Sequence, residues 1–134
     1  METVKRRWRC VVVESPYKGD IERNLAYLRA CMRDCIERGE SPYASHGLLP
    51  LPGVLRDAVP EERMMGIEAG LAWAEHADAV IFYTDFGMTQ GMRLAEAEHR
   101  VNGRVIEYRE LPPHLLVRFD LVAHVEAHAA EKHT

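Results

Sequence analysis

Ala79-Val80-Ile81-Phe82-Tyr83 is the most apolar run in the chain, and no polar residue alternates within it. A strand wet on one face alternates apolar with polar side chains. An unbroken run of this length instead fits a strand covered on both faces, as at the centre of a parallel sheet. Cys10-Val11-Val12-Val13, entered through Trp8, has the same character and stops at Glu14-Ser15-Pro16, where proline cannot continue central pairing. Parallel neighbours need a crossover connection, usually a helix. The chain must therefore interleave helices with these strands.

The periodicity supplies those helices. Apolar residues at 21, 25, 28, 32, 35 and 36 share one face, with Glu22, Arg23, Arg29, Arg33, Asp34, Glu37 and Arg38 on the other. Asp20 is placed to cap this helix and Gly39 to end it. Pro60-Glu61-Glu62 opens a second helix that runs through Met64, Ile67, Leu71 and Ala74 to His76. A third spans Gly91 to Arg100 and stops before Asn102-Gly103, and Phe119, Val122 and Val125 mark a last one over about 118–131. Ser41 to Ser45 and Arg104 to Tyr108 read as the second and fourth strands. The stretch from His46 to Pro60, with three prolines, two glycines and no period, reads as a long loop of the kind that is more often functional than incidental.

Strand and helix alternating in this way predict an α/β, Rossmann-like or flavodoxin-like three-layer sandwich. Its sheet is mostly parallel with order 2-1-3-4, and right-handed crossovers put helices on both faces. The pattern predicts one domain over 1–134 with its core over about 8–110. The strand order reverses between the first and third strands, so their carboxyl ends flank a crevice at the switch point, where open α/β sheets bind ligands.

Composition narrows the function classes. Hydrophobic residues make up 47% and charged residues 28%, as in globular domains. Net charge is −4, and Lys5, Arg6, Arg7 and Arg9 form a short cluster, not a broad basic face, so no nucleic-acid partner is expected. Cys10, Cys31 and Cys35 form no CxxC pair and read as reduced core residues. No apolar run reaches the ~18 residues of a membrane span, and the amino terminus lacks the apolar block of a signal peptide. A cytoplasmic protein without a membrane partner is expected. His124 and His128 stand four apart but have no third ligand in view, so no metal is expected.

Two segments wall the crevice. Glu14-Ser15-Pro16-Tyr17-Lys18-Gly19-Asp20 offers a carboxylate, a hydroxyl, a phenol, an ammonium and a glycine at the start of a helix, which suits a phosphate or a sugar. It also serves as an ordinary strand-to-helix turn. Asp85-Phe86-Gly87-Met88-Thr89-Gln90-Gly91-Met92-Arg93 supplies a strand-end acid, two glycines and an arginine in the first helical turn. Ser45-His46 can reach the crevice from the side.

Taken in order, these segments resemble the nucleoside 2-deoxyribosyltransferase-like superfamily, especially its small members of unassigned function. The resemblance rests on Val11 to Asp20, Asn24, Ser45-His46, Pro60-Glu61-Glu62-Arg63 through Gly70-Leu71, Ala77-Asp78 and Gly87 to Glu96, and it spans about residues 10–110. It implies cleavage of the N-glycosidic bond of (deoxy)nucleosides or their monophosphates, by hydrolysis or deoxyribosyl transfer, without metal or redox cofactor. A glutamate on the helix after the third strand is the nucleophile that the resemblance implies, four residues after a glycine. The position four after Gly91 is Ala95, with Glu96 beside it, and the aspartate expected on the preceding helix corresponds to Gly70, with Glu68 the nearest acid.

Candidate catalytic residues are thus Glu14 or Glu96 as nucleophile and Asp85 as partner acid. Ser15, Tyr17, Lys18, Gly19, Asp20, His46, Gly87, Thr89, Gln90, Gly91, Met92 and Arg93 are candidate substrate-binding residues. A non-catalytic nucleotide-binding or ribose-binding module is the alternative. The apolar side of the last helix predicts a homo-oligomer, a dimer.

Overall fold

The computed structural model describes residues 7–132. Four parallel strands, β1 (Arg9–Glu14), β2 (Glu40–Tyr43), β3 (Ala79–Tyr83) and β4 (Ile106–Arg109), pair in the order β2-β1-β3-β4. The chain is an α/β protein of the Rossmann-like three-layer type. Every residue of β3 is buried, which is why its sequence carries no alternation.

Helices α1 (Ile21–Glu37), α2 (Ser45–Leu48), α3 (Pro60–Ala74), α4 (Gln90–Val101), α5 (Pro113–Arg118) and α6 (Val122–Glu131) complete the chain. One face of the sheet, through Val11, Val13, Ile81 and Tyr83, packs against Tyr27, Leu28 and Cys31 of α1 and against Leu115 and Leu121. The other, through Val12, Val80 and Phe82, packs against Ala74 of α3 and Met92 of α4. Asp20 caps α1 by accepting the Arg23 N–H at 3.0 Å, and Gly39 follows that helix at φ +79°. Cys31 and Cys35 are buried free thiols, whereas Cys10, expected in the core, is exposed because the start of β1 lies at the rim of the sheet. Among the described residues no helix is long and apolar enough to cross a membrane.

Three further expectations change. Ser45 does not end the second strand but opens α2, and only the stretch after that turn is irregular. The last helix starts later than expected, at Val122, because Asp120 at φ +57° breaks the chain direction before α6, and a short helix that the sequence did not suggest, α5, precedes it with Pro113 in its first turn. The core also extends past residue 110, because Leu111, Leu115 and Leu121 close the α1 side of the sheet. Of the basic cluster, Lys5 and Arg6 lie outside the described residues, while Arg7 pairs with Asp78 at 3.6 Å and Arg9 pairs with Glu40 and Glu107.

Candidate active site

Side-chain parity decides what each strand end presents. Val11 and Val13 turn toward α1, so Val12 and Glu14 turn toward α3 and α4. Glu14 ends β1 beside Phe82 of β3, and its Oε1 lies 3.5 Å from Nε2 of His99 on α4. The next residue, Ser15, is buried and joins His46 through a 2.7 Å hydrogen bond between Oγ and Nε2. The Tyr17 ring stands over the same imidazole, 6.4 Å between centroids. Burial pushes the His46 imidazole below its ordinary pKa, and the Glu14 charge opposes that shift in part. Neutral His46 is therefore the dominant form near pH 7, able to donate to Ser15 or accept from it.

The loop that carries these groups is held from below. Asn24, almost fully buried, donates its side-chain amide to the carbonyls of Tyr17 at 2.9 Å and Lys18 at 3.0 Å. Gly19 adopts φ +99°, a conformation open to glycine, and Lys18, Gly19 and Asp20 form the exposed rim.

Helix α2 delivers His46 to Ser15 because two glycines let it wedge between its neighbours. A Cβ at Gly47 would lie 2.6 Å from Leu28 Cδ2, and one at Gly70 would lie 2.7 Å from Ser45 Oγ. The acid that the resemblance implies at position 70 has no room there.

The second wall is built differently from expectation. Asp85 faces α1: its carboxylate accepts the Tyr27 hydroxyl at 2.5 Å and the Leu111 N–H at 3.1 and 3.2 Å, while its own N–H donates to the Tyr27 oxygen at 3.0 Å. Burial raises its pKa, with the Tyr27 and Leu111 hydrogen bonds pulling the other way. Asp85 thus works as a clamp on the α1 side, across the sheet from Glu14. Thr89, exposed at the start of α4, caps that helix by accepting the Met92 N–H at 3.2 Å, whereas Met92 is packed in the core with Phe82. Gly87, at φ +73°, faces His128 of α6. Gln90, Gly91 and Arg93 are exposed on the first turn of α4, where Arg93 lies 3.7 Å from Glu96.

Glu96 turns toward β4. It accepts the Tyr108 hydroxyl and lies between Arg93 and Arg100. Ala95 packs against the core. Of the two candidate nucleophiles, Glu14 adjoins Ser15 in the chain and its charge acts on His46, while Glu96 is engaged by Tyr108 and two arginines. Among the described residues no cluster of histidine, cysteine and acid side chains has the make-up to hold a metal.

Residues 9–109 match the model of a domain of unknown function, DUF7768. The chain belongs to the DUF7768 family. No curated protein and no solved structure matches it. The DUF7768 match runs from the first residue of β1 to the last of β4, so it contains Glu14, Ser15, His46 and His99 and leaves out α5 and α6.

His99 of this DUF7768 domain escapes a reading of the sequence alone. It occupies an inward position of its helix at the same spacing as Met92 and Ala95, where an apolar side chain is the ordinary occupant. Only the tertiary structure brings it to Glu14, 85 positions earlier in the chain.

Proposed function

We propose that this DUF7768 domain is an N-glycosyl bond enzyme that acts on (deoxy)nucleosides or nucleoside monophosphates, as a hydrolase or a deoxyribosyltransferase. The observation that carries this reading is the state of Glu14. Among the described residues no lysine or arginine pairs with it, and a histidine and a Ser–His pair flank it at the carboxyl end of β1. Asp85 and Glu96, by contrast, are consumed by hydrogen bonds and ion pairs.

The chemistry follows. The Glu14 carboxylate attacks the anomeric carbon; a C–O bond forms as the C–N bond breaks, through an oxocarbenium-like transition state. The bonding pair leaves with the base, which takes a proton from the imidazolium form of His46 and leaves that ring neutral. Water or a second base then displaces Glu14 and gives up its proton to the neutral His46 ring, which regenerates both the carboxylate and the imidazolium. No metal or redox cofactor enters these steps. Lys18 and Gly19 at the rim suit a phosphate on the sugar.

Incubation with deoxynucleosides and their monophosphates, followed by separation of the free bases, tests the proposal. Base release or base exchange that is lost in Glu14→Gln is expected; release unchanged in that variant overturns the assignment.

A non-catalytic ligand-binding module is the second reading. It is favoured by Gly70 and Ala95, since helix packing occupies both places where the resemblance implies acids. Here nucleotides raise the unfolding temperature without turnover. A screen in which no nucleoside or nucleotide shifts the transition removes this reading.

The proposed dimer rests on α3 more than on the last helix, where Val122 is exposed but Val125, like Phe119 just before the helix, packs inward. Met64, Met65, Ile67 and Trp73 of α3 are each about half exposed, a surface that a second copy would cover. Light scattering that finds only monomer at micromolar concentration would rule this out.

A further inference from the structure

The end of α4 is built around one imidazole. His99 is 1% exposed, and its ring stands edge-on to Phe82 at 6.1 Å. Gly103, at φ +66°, turns the chain so that Arg104 folds back over the last helical turn. The Arg104 N–H donates to the His99 carbonyl at 3.0 Å, and its guanidinium NH1 lies 2.9 Å from His99 Nδ1. A guanidinium carries donors only, so Nδ1 must present its lone pair, and the proton of the neutral ring resides on Nε2. That Nε2 is buried and has no hydrogen-bond partner among the described residues; Glu14 Oε1 faces it at 3.5 Å.

We propose that His99, locked in its Nε2–H tautomer by Arg104, is the positioning residue for the Glu14 carboxylate. A buried N–H seldom stays without a close acceptor in folded proteins, and the Glu14 oxygen that faces it at 3.5 Å is placed to become that acceptor. Hydrogen bonds at active sites are commonly long before the ligand binds and tighten in the complex. With Oε1 drawn to His99, the second carboxylate oxygen is the one presented to the crevice, and the carboxylate keeps a fixed direction of attack. His99 itself touches neither the sugar nor the base. The ring is a donor with one fixed proton and is not the general acid of the reaction, since Arg104 occupies the other nitrogen. The Ser15–His46 pair has no such constraint, so the two histidines have separate tasks.

This inference rests on the glycosyl reading for its kinetic consequence but not for its tautomer, and two measurements separate the two. The first is long-range proton–nitrogen correlation NMR on the full chain at neutral pH. His99 should show an unprotonated Nδ1 and a protonated Nε2, and Glu14→Gln should shift the Nε2 proton. A protonated Nδ1, or an imidazolium, overturns the proposal. The second uses the base-release assay. His99→Gln keeps an N–H near the Nε2 position and should hold kcat within about threefold. His99→Leu removes that donor and should lower kcat about 100-fold with KM little changed, since a carboxylate misplaced by ~1 Å loses about that much. Equal kcat in the two variants, or a change in KM alone, also overturns it. If the wild-type chain releases no base, the glycosyl reading fails, and the NMR result decides the case of His99 without it.

Discussion

Gly70 of α3 and Ser45 of α2 are in such close contact that a Cβ at position 70 would lie 2.7 Å from Ser45 Oγ and 2.8 Å from its Cβ. No single rotamer change of a serine clears both, so the two helices must separate before any side chain fits at 70. The same helix carries His46, whose imidazole meets Ser15. Close packing between α2 and α3 is therefore a condition for the Ser15–His46 pair.

Gly70→Ala should destabilise the fold by roughly 1–3 kcal/mol, the cost of overpacking, because the strain exceeds the ~1 kcal/mol that alanine gains over glycine within a helix. Urea unfolding checks the sign. Gly70→Ala should also weaken ligand binding by displacing His46, whereas an exposed control such as Ala72→Ser should leave both quantities unchanged.

Tyr27→Phe tests the clamp on Asp85. The phenol both donates to the Asp85 carboxylate and accepts its N–H, and its removal leaves a partly buried acid short of a donor. A loss of about 1–3 kcal/mol in urea unfolding is expected. Base release, once measured, should survive in this variant, because Asp85 lies across the sheet from Glu14. Activity that falls as far as in Glu14→Gln would return Asp85 to the catalytic set.

His46 makes stability depend on pH. Burial places its folded pKa below the ordinary 6.5, so the unfolded chain binds more protons over the interval between the two values. The stability is complete above pH 6.5 and is lost as pH falls through the lowered folded pKa. Urea midpoints between pH 7.5 and 5.5 should therefore fall, and His46→Gln should flatten that slope. Glu14→Gln should steepen it, since the Glu14 charge favours the protonated ring. A wild-type slope of zero, unchanged by either variant, contradicts the burial of a neutral His46.

The pair Glu40–Arg109 governs the acid limb. Glu40 is 5% exposed and accepts Arg109 at 2.6 and 2.7 Å and Arg9 at 3.1 Å. Burial opposes its ionisation, yet the two guanidiniums outweigh burial and hold its carboxyl below the ordinary 4.5. The stability it contributes is full above pH 4.5 and disappears as pH falls through the lower folded value. Arg109→Met should cost about 3–5 kcal/mol at pH 7, because a buried carboxylate loses its main partner, and it should reduce the further loss below pH 4.5. Parallel denaturant titrations at pH 7 and 3.5 measure both.

Much of the architecture follows from local chemistry. Five consecutive apolar residues at 79–83 require two covered faces, the spacing of apolar residues at 21–36 requires a helix between strands, and parallel pairing with right-handed crossovers leaves the order β2-β1-β3-β4. Asp20, Gly39 and the Pro60 turn are legible for the same reason, since caps and breakers act within a few residues of themselves. A crevice at the carboxyl ends of β1 and β3 is an expectation of the strand order, and the Ser15–His46 hydrogen bond joins two residues that the sequence assigned to its walls.

Which carboxylate comes to lie beside a buried imidazole was not legible there. Glu14, Asp85 and Glu96 are equivalent as residues in a string, and their fates diverge through partners 85, 58 and 12 positions away: His99, Tyr27 and Tyr108. Such partners are chosen by the parity of a strand end and by the rotation of a helix against the sheet, quantities set only when the whole core closes. The sequence by itself determined the layers and the strand order; packing alone decided that Glu14 stands beside a buried imidazole while Asp85 and Glu96 became struts.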